Sequence, residues 1–331
     1  MRRTDRRDFF STCLGSLIGL NSLLASEKKE AVLEQERQHP AETDLIVKVL
    51  GTAQDGGIPH FGCYCDHCLQ ARQTPELSRL ISSLAILDLK EKTFFLLDAT
   101  PDIRDQLDIV HSRLPSQKTK FAPDGVLLTH AHIGHYTGLM FFGYEALSTY
   151  NVPVFSSPRM QRFLSENGPW SQLVRLENIK IQSLPIDEEY ALNPRITVKG
   201  FQVPHRDEFS DTLGFVISGQ ERRLLYIPDI QSWTAWDRSI VDEVEKVQVA
   251  LLDGTFYGSA ELPGRDLSKI GHPFISKSME ILSAPAKKGR TQIYFTHLNH
   301  TNFALSPEGE ARKRVEGEGF RLAEDGLEFA L

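Results

Sequence analysis

The segment VLLTHAHIGHYTGL, residues 126–139, constrains this chain more than any other. It places His130, His132 and His135 directly after an apolar run that reads as a buried strand. The whole chain has 11 histidines among 331 residues, so three together are a concentration that scattered surface histidines do not produce. His130 and His132 are two apart on an extended or turning segment and can point to one side. His135 can reach a neighbouring position from the start of the following helix. Imidazole nitrogen together with carboxylate oxygen is the donor set of zinc and similar ions, and a catalytic ion keeps one position open for water.

From Leu45 onward, short β-branched or apolar runs recur, among them LIVKVLG, SLAILDL, TFFLLDAT, VPVFSS, TLGFVIS, RRLLYIPD, VQVALLDG and TQIYFTHLN. Helical stretches are predicted between them, around residues 137–149, 158–166 and 273–283. The alternation predicts an α/β chain with two sheets covered by helices, an αββα sandwich, as one domain over residues 45–331. The residues able to do chemistry sit just past the ends of predicted strands: Asp98 after TFFLL, His130 after VLLT and His205 after FQVP. Asp229 follows LLYIP, Asp253 follows VALL and His297 follows IYFT in the same way. Buried strands hold such residues rigidly while leaving their side chains at a rim, as a preorganised site requires.

A second cluster lies in GGIPHFGCYCDHC. Cys63, Cys65 and Cys68 supply three thiolates in C-x-C-x₂-C spacing, an odd number that makes no self-contained disulfide framework and suits a structural zinc. The fourth ligand is to be found among His60, His67 and His300.

The first 26 residues, MRRTDRRDFFSTCLGSLIGLNSLLAS, differ in kind. The pair Arg6-Arg7 before Asp8-Phe9-Phe10 and a weakly apolar run has the layout of a twin-arginine export signal. It predicts the export machinery as a partner and a periplasmic or extracytoplasmic location, with an uncleaved anchor as the alternative to cleavage near Ala25 or Ser26. Residues 27–44 are charged, without an apolar face, and read as a linker. A net charge of −7 argues against a nucleic-acid partner. No run of about 18 apolar residues follows the N-terminus, so no internal membrane span is expected. The sequence sets no oligomeric state.

With its HAHIGH segment and the later His205, Asp229 and His297, the chain resembles the metallo-β-lactamase superfamily, whose signature is His-x-His-x-Asp-His. The resemblance implies one ion held by His130, His132 and His205, and a second by His135, His297 and a bridging Asp229. Gly134 stands where the signature has its aspartate, which implies a second ion held weakly or not at all, with water in the vacated place. Zinc, manganese or iron, as one or two ions, is the expected active-site complement. The motifs VLGTAQDGGIPHFGCYCDHC, LLDATPDIRDQL, GRDLSKIGHPFISKSMEIL and THLNHTNFAL narrow the resemblance to the pyrroloquinoline quinone (PQQ) biosynthesis protein B family over residues 45–331. A phosphoribosyl cyclic phosphodiesterase family shares the cysteine cluster and the later histidine pair, and this likeness favours His300 as the fourth zinc ligand.

The chain departs from the biosynthesis family in keeping His130 and His132 and in carrying Asp229 where that family has glycine. These departures, with the predicted export signal, imply an exported paralogue acting as a metal-dependent hydrolase on an ester or phosphodiester of a small-molecule substrate. Asp229 would orient the attacking hydroxide or accept its proton, and His272 would protonate the leaving group or bind the oxyanion. Asp98 is expected to brace the histidine loop, and Asp253 to be structural or to support a site residue from behind. The alternative is a non-haem iron oxygenase acting on tyrosine or a tyrosine-derived peptide.

Overall fold

In the computed structural model, which describes residues 43–331, the apolar runs of the sequence form two seven-stranded sheets. The first takes β1 (Leu45–Gly51), β2 (Ser83–Asp88), β3 (Thr93–Leu97), β4 (Gly125–Leu127), β5 (Val152–Ser156) and β6 (Ile179–Ser183) side by side. The second takes β7 (Glu189–Asn193), β8 (Ile196–Val203), β9 (Thr212–Ser218), β10 (Arg223–Ile227), β11 (Val249–Asp253), β12 (Gln292–Thr296) and β13 (Arg321–Leu322). The last strand, β14 (Glu328–Ala330), returns to the first sheet and pairs with β1. The predicted signal, residues 1–26, and nearly all of the linker lie outside the described residues.

The central strands of both sheets are buried on both faces, which is why they read as continuous apolar runs rather than alternating ones. Successive side chains of a strand point to opposite faces, so each run feeds two cores. In β1, Leu45, Val47 and Val49 face the other sheet, whereas Ile46 and Leu50 face helices. In β11, Val249 and Leu251 join the same inter-sheet core, whereas Ala250 and Leu252 pack beneath the helices of the second sheet. Three apolar clusters therefore separate four layers, helix, sheet, sheet and helix, as the sequence predicts. Among the described residues no helix is long and apolar enough to cross a membrane.

The helices match expectation in part. Pro158–Glu166 forms as predicted, opened by Ser157, whose hydroxyl accepts from the Met160 N–H. The stretch 273–283 becomes Ile275–Ile281 followed by a second short helix, Ser283–Lys288. Pro285 has no N–H for the Ile281 carbonyl, so the first helix stops and the chain breaks at Leu282. The long helix expected over 137–149 is not present. A single α-turn, Ile133–Tyr136, passes into a 3₁₀ segment, Thr137–Phe142, and then into turns. The cause is tertiary: a Cβ at Gly138 would lie 2.1 Å from the Thr100 carbonyl, so the segment is pressed flat against the loop after β3.

β3 to β6 run parallel, as do β10 to β13. Their C-terminal ends open on one edge of the sandwich, and every strand-end residue singled out in the sequence lies there. Phe215 is wholly buried in the inter-sheet core that sets the spacing of these two edges. Phe215→Ala should cost about 3–5 kcal/mol of stability, read as a fall in the urea midpoint with an unchanged slope. A loss below about 1 kcal/mol would mean that this core does not bear the packing described.

Candidate metal centre

The chain leaves β4 through Leu128 and Thr129 and turns sharply at His130, Ala131 and His132. The Ala131 N–H donates to Ser210 Oγ at 2.8 Å and the Leu213 N–H to the Thr129 carbonyl at 3.0 Å. These bonds join the histidine loop to the loop that carries His205. From the second sheet, β8 delivers His205, β10 delivers Asp229 and β12 delivers His297.

Asp229 lies at the centre and is almost wholly buried. Its Oδ2 is 3.4 Å from His130 Nε2, 3.2 Å from His135 Nε2 and 3.3 Å from His297 Nε2. Its Oδ1 is 3.4 Å from His205 Nε2 and 3.2 Å from His272 Nδ1. Bonds of about 2.0–2.2 Å meeting at a tetrahedral angle leave donor atoms about 3.4 Å apart, so this spacing is that of ligands around a shared ion. Donor atoms of His130, His132, His205 and Asp229 form one such group, and those of Asp55, His135 and His297 a second. The sequence-predicted histidines and Asp229 are thus brought together, with His272 beside them.

A chemical test of fit comes from hydrogen bonding. Nε2 of His130, His132, His135, His205 and His297, Oδ1 of Asp229 and Oδ1 of Asp55 are all buried without a hydrogen-bond partner. Such orphaned atoms are costly unless something else satisfies them, and a cation among them does so.

The opposite ring nitrogens of His130, His135 and His297 are held. His135 Nδ1–H donates to Asp98 Oδ2 at 2.7 Å. The Thr129 hydroxyl donates to Asp98 and can accept the Nδ1–H of His130 at 2.9 Å. The second sheet repeats this device: Thr255 Oγ1 donates to Asp253 Oδ1 at 2.8 Å and can accept the Nδ1–H of His297 at 3.0 Å. With Nδ1 protonated in each case, Nε2 keeps its lone pair for an ion. Asp98 therefore braces the loop as expected, and Asp253 is structural, also receiving the Ile230 N–H and His272 Nδ1.

Burial holds His205 down to about 4 and His130 well below the ordinary histidine range, His135 adding to the effect on His130. Burial opposes charge on His272 too, but Asp253 and Asp229 outweigh it and lift this imidazole to about 9. Burial would raise the Asp229 carboxyl, yet His297 and His205 hold it well below the usual range. Asp98 and His297 both have left-handed backbones, φ +68° and +59°, a strain that concentrates at functional sites.

One residue in this cluster was not legible in the sequence. The expectation that Gly134 leaves a vacancy is corrected by the structure. A Cβ at 134 would fall 2.1 Å from Asp55 Oδ1, so a carboxylate from the loop after β1 already occupies that space. Asp55 Oδ1 is 3.5 Å from His135 Nε2 and 3.8 Å from His297 Nε2. The only sequence signal was an acidic residue between glutamine and two glycines in TAQDGG, which reads as an ordinary turn.

The cysteine cluster is also assembled. His300 Nδ1 lies 3.5 Å from Cys65 Sγ and 3.4 Å from Cys68 Sγ, and Cys63 completes the group. Bonds of about 2.3 Å to sulfur and 2.0–2.1 Å to nitrogen give a tetrahedral edge of about 3.5 Å. Of the other two candidates, His67 contacts the His300 carbonyl through Nδ1 and His60 packs its ring on that of His300. Neither belongs to the ligand group.

Cys65→Ala should release about one equivalent of zinc and lower the melting temperature, because structural zinc contributes folding energy directly. Unchanged melting with unchanged zinc would remove that assignment. Asp98→Asn should leave the protein folded but weaken ion affinity at the histidine cluster by about 10–100-fold, read by competition with a chromophoric chelator. An unaltered affinity would show that the Asp98 bond to His135 is idle.

Residues 93–298, more than half of the chain, match the beta-lactamase superfamily domain. Coenzyme PQQ synthesis protein B of Methylobacterium sp. (strain 4-46) is 29% identical over 311 residues, covering 86% of this chain and 99% of that protein. The protein of the same name from Rhizobium meliloti (strain 1021) is 28% identical over 311 residues, covering 87% of this chain and 99% of its own. Among solved structures, zinc-bound PqqB from Methylobacterium extorquens superposes with a TM-score of 0.73 at 24% identity, over 86% of this chain and 100% of that one. A diphosphatase from the PhnP family superposes with a TM-score of 0.61 at 21% identity, over 86% of this chain and 96% of that one. By its matched domain and its two-sheet architecture, the chain belongs to the beta-lactamase superfamily and has the metallo-β-lactamase fold.

Proposed function

We propose that this protein is a PQQ synthesis protein B-like metal-dependent hydrolase that cleaves an ester or phosphodiester bond in an anionic small molecule. The observation that carries the reading is the set of orphaned donor atoms converging on Asp229 at the floor of an open cleft. The cleft has a volume of about 180 Å³ and is lined by Asp55, His132, His205, Asp229 and His272. Arg206, Arg265 and Lys269 line the same cleft, so cationic groups stand close to the imidazoles. A substrate carrying phosphate or carboxylate oxygens meets that charge, and the likeness in fold to a diphosphatase agrees with it.

His130, His132, His205 and Asp229 would hold one divalent ion, and His135 and His297 would face a second across Asp229. Such an ion would supply Lewis-acid polarisation and lower the pKa of a bound water to about 7. The chain's own groups do the rest. Asp229, kept ionised, is the proton acceptor beside the attacking water. His272, lining the cleft beside Asp229, is the group placed to protonate the leaving oxygen. Asp253 fixes that ring through Nδ1. The cations of Arg265 and Lys269 orient the anionic end of the substrate.

The names of the curated relatives favour a second reading, chemistry of the PQQ-synthesis kind, in which the same donors would hold iron for oxidation of tyrosine or a tyrosine-derived peptide. Elemental analysis of protein purified without chelator separates the two. Zinc or manganese, together with turnover of bis(p-nitrophenyl) phosphate that His132→Ala abolishes, supports the hydrolase. Iron, with oxygen uptake on tyrosine peptides, overturns it. Removing both rim cations in Arg265→Ala/Lys269→Ala should raise KM about tenfold or more while kcat falls less. Hydrolysis undiminished in His132→Ala would mean that the chemistry lies elsewhere.

A further inference from the structure

We propose that Asp55 supplies the second ion site with the carboxylate that the superfamily signature places at residue 134, so that the active site holds two ions despite Gly134. This rests on the metal-dependent reading above and extends it. The first support is position. The space where a side chain at 134 would begin is filled by Asp55, with Oδ1 at 2.1 Å and the Asp55 Cα and Cγ each at 2.8 Å from a Cβ built there. Glycine at 134 and aspartate at 55 are therefore mutually dependent. Any larger residue at 134 would push the Asp55 loop away.

The second support is the state of the carboxylate. Asp55 Oδ1 is buried and has no hydrogen-bond partner, while it faces the equally orphaned Nε2 atoms of His135 and His297. With the Nδ1–H of His135 held by Asp98 and that of His297 facing Thr255, Nε2 is the nitrogen each ring turns toward the Asp55 carboxylate. An anionic oxygen and two such nitrogens need positive charge among them, and a divalent ion supplies it to all three at once.

The third support is rigidity. The Gln54 N–H donates to the Leu298 carbonyl at 2.9 Å, and the Leu298 N–H to the Thr52 carbonyl at 2.7 Å. Asn299 Nδ2 donates to Gln54 Oε1, and Ala53 bridges to both Ile81 and Leu298. The residues just before Asp55 are thus stitched to those just after His297. The carboxylate comes from outside residues 93–298, the part that matches the superfamily domain, and so reaches the place beside residue 134 from a different chain segment.

The test is the metal content of the full chain, stripped and reconstituted against buffered free zinc. The wild type should hold three equivalents, one at the cysteines and two at the histidine cluster. Asp55→Asn, which keeps shape and loses charge, should hold two, and Gly134→Ala should hold two by displacing Asp55. The double variant should lose no more than either single one, since both act on one ligand. Cobalt in place of zinc should show the same one-equivalent loss in its visible absorption, with the thiolate band of the cysteine site unaltered as a control for folding. Three equivalents in Asp55→Asn, or two in the wild type, would overturn the proposal, and the wild-type count stands even if a variant misfolds. A wild type holding zinc at the cysteines alone would instead defeat the metal-hydrolase reading on which it rests.

Discussion

The centre of this molecule is a buried carboxylate surrounded by imidazoles. Asp229 stands within 3.2–3.4 Å of nitrogens from five histidines, and it comes from a strand of the second sheet while His130 and His135 come from the first. A charge so deeply buried is costly unless it is paired, and here its partners are delivered by both halves of the sandwich. The inter-sheet core is what makes this possible. Leu127, Phe215, Tyr226 and Leu251 lock the sheets face to face and thereby fix the distance between loops that are far apart in sequence.

The ring of donors is held by a repeated device. In each sheet a buried aspartate takes a threonine hydroxyl, and that hydroxyl can take a histidine Nδ1–H: Asp98, Thr129 and His130 in one, Asp253, Thr255 and His297 in the other. The device fixes tautomer and ring orientation together. Two of its members, Asp98 and His297, lie in left-handed conformations that L-residues seldom adopt, so the strand ends turn abruptly to present their side chains. The cysteine cluster adds a brace at a distance. His300 follows His297 by one turn of chain and bonds toward Cys65 and Cys68, tying the first loop to the exit of β12.

Much of this was legible in the sequence because parallel strands in a doubly covered sheet leave a plain trace. An apolar run that ends in His or Asp marks a buried strand presenting a polar residue at its C-terminal edge, and six such runs end at the site. The cysteine spacing is local and equally plain. The helix expected over 137–149 was misread because helical propensity takes no account of the Thr100 carbonyl, against which Gly138 must lie. The choice among His60, His67 and His300 likewise depended on which imidazole reaches the sulfurs, and all three lie near the cluster.

The sequence by itself determined the layer architecture, the donor types and the strand-end positions that gather around Asp229, because each is encoded by periodicity or by short spacing within one segment. Only the tertiary structure decided what fills the gap at Gly134. Asp55 and Gly134 are distant along the chain, neither follows a periodic pattern, and their relation is one of excluded volume: a carboxylate from one loop rests where another residue has no side chain. Such a relation exists only once both loops have been set in place by the strands beneath them.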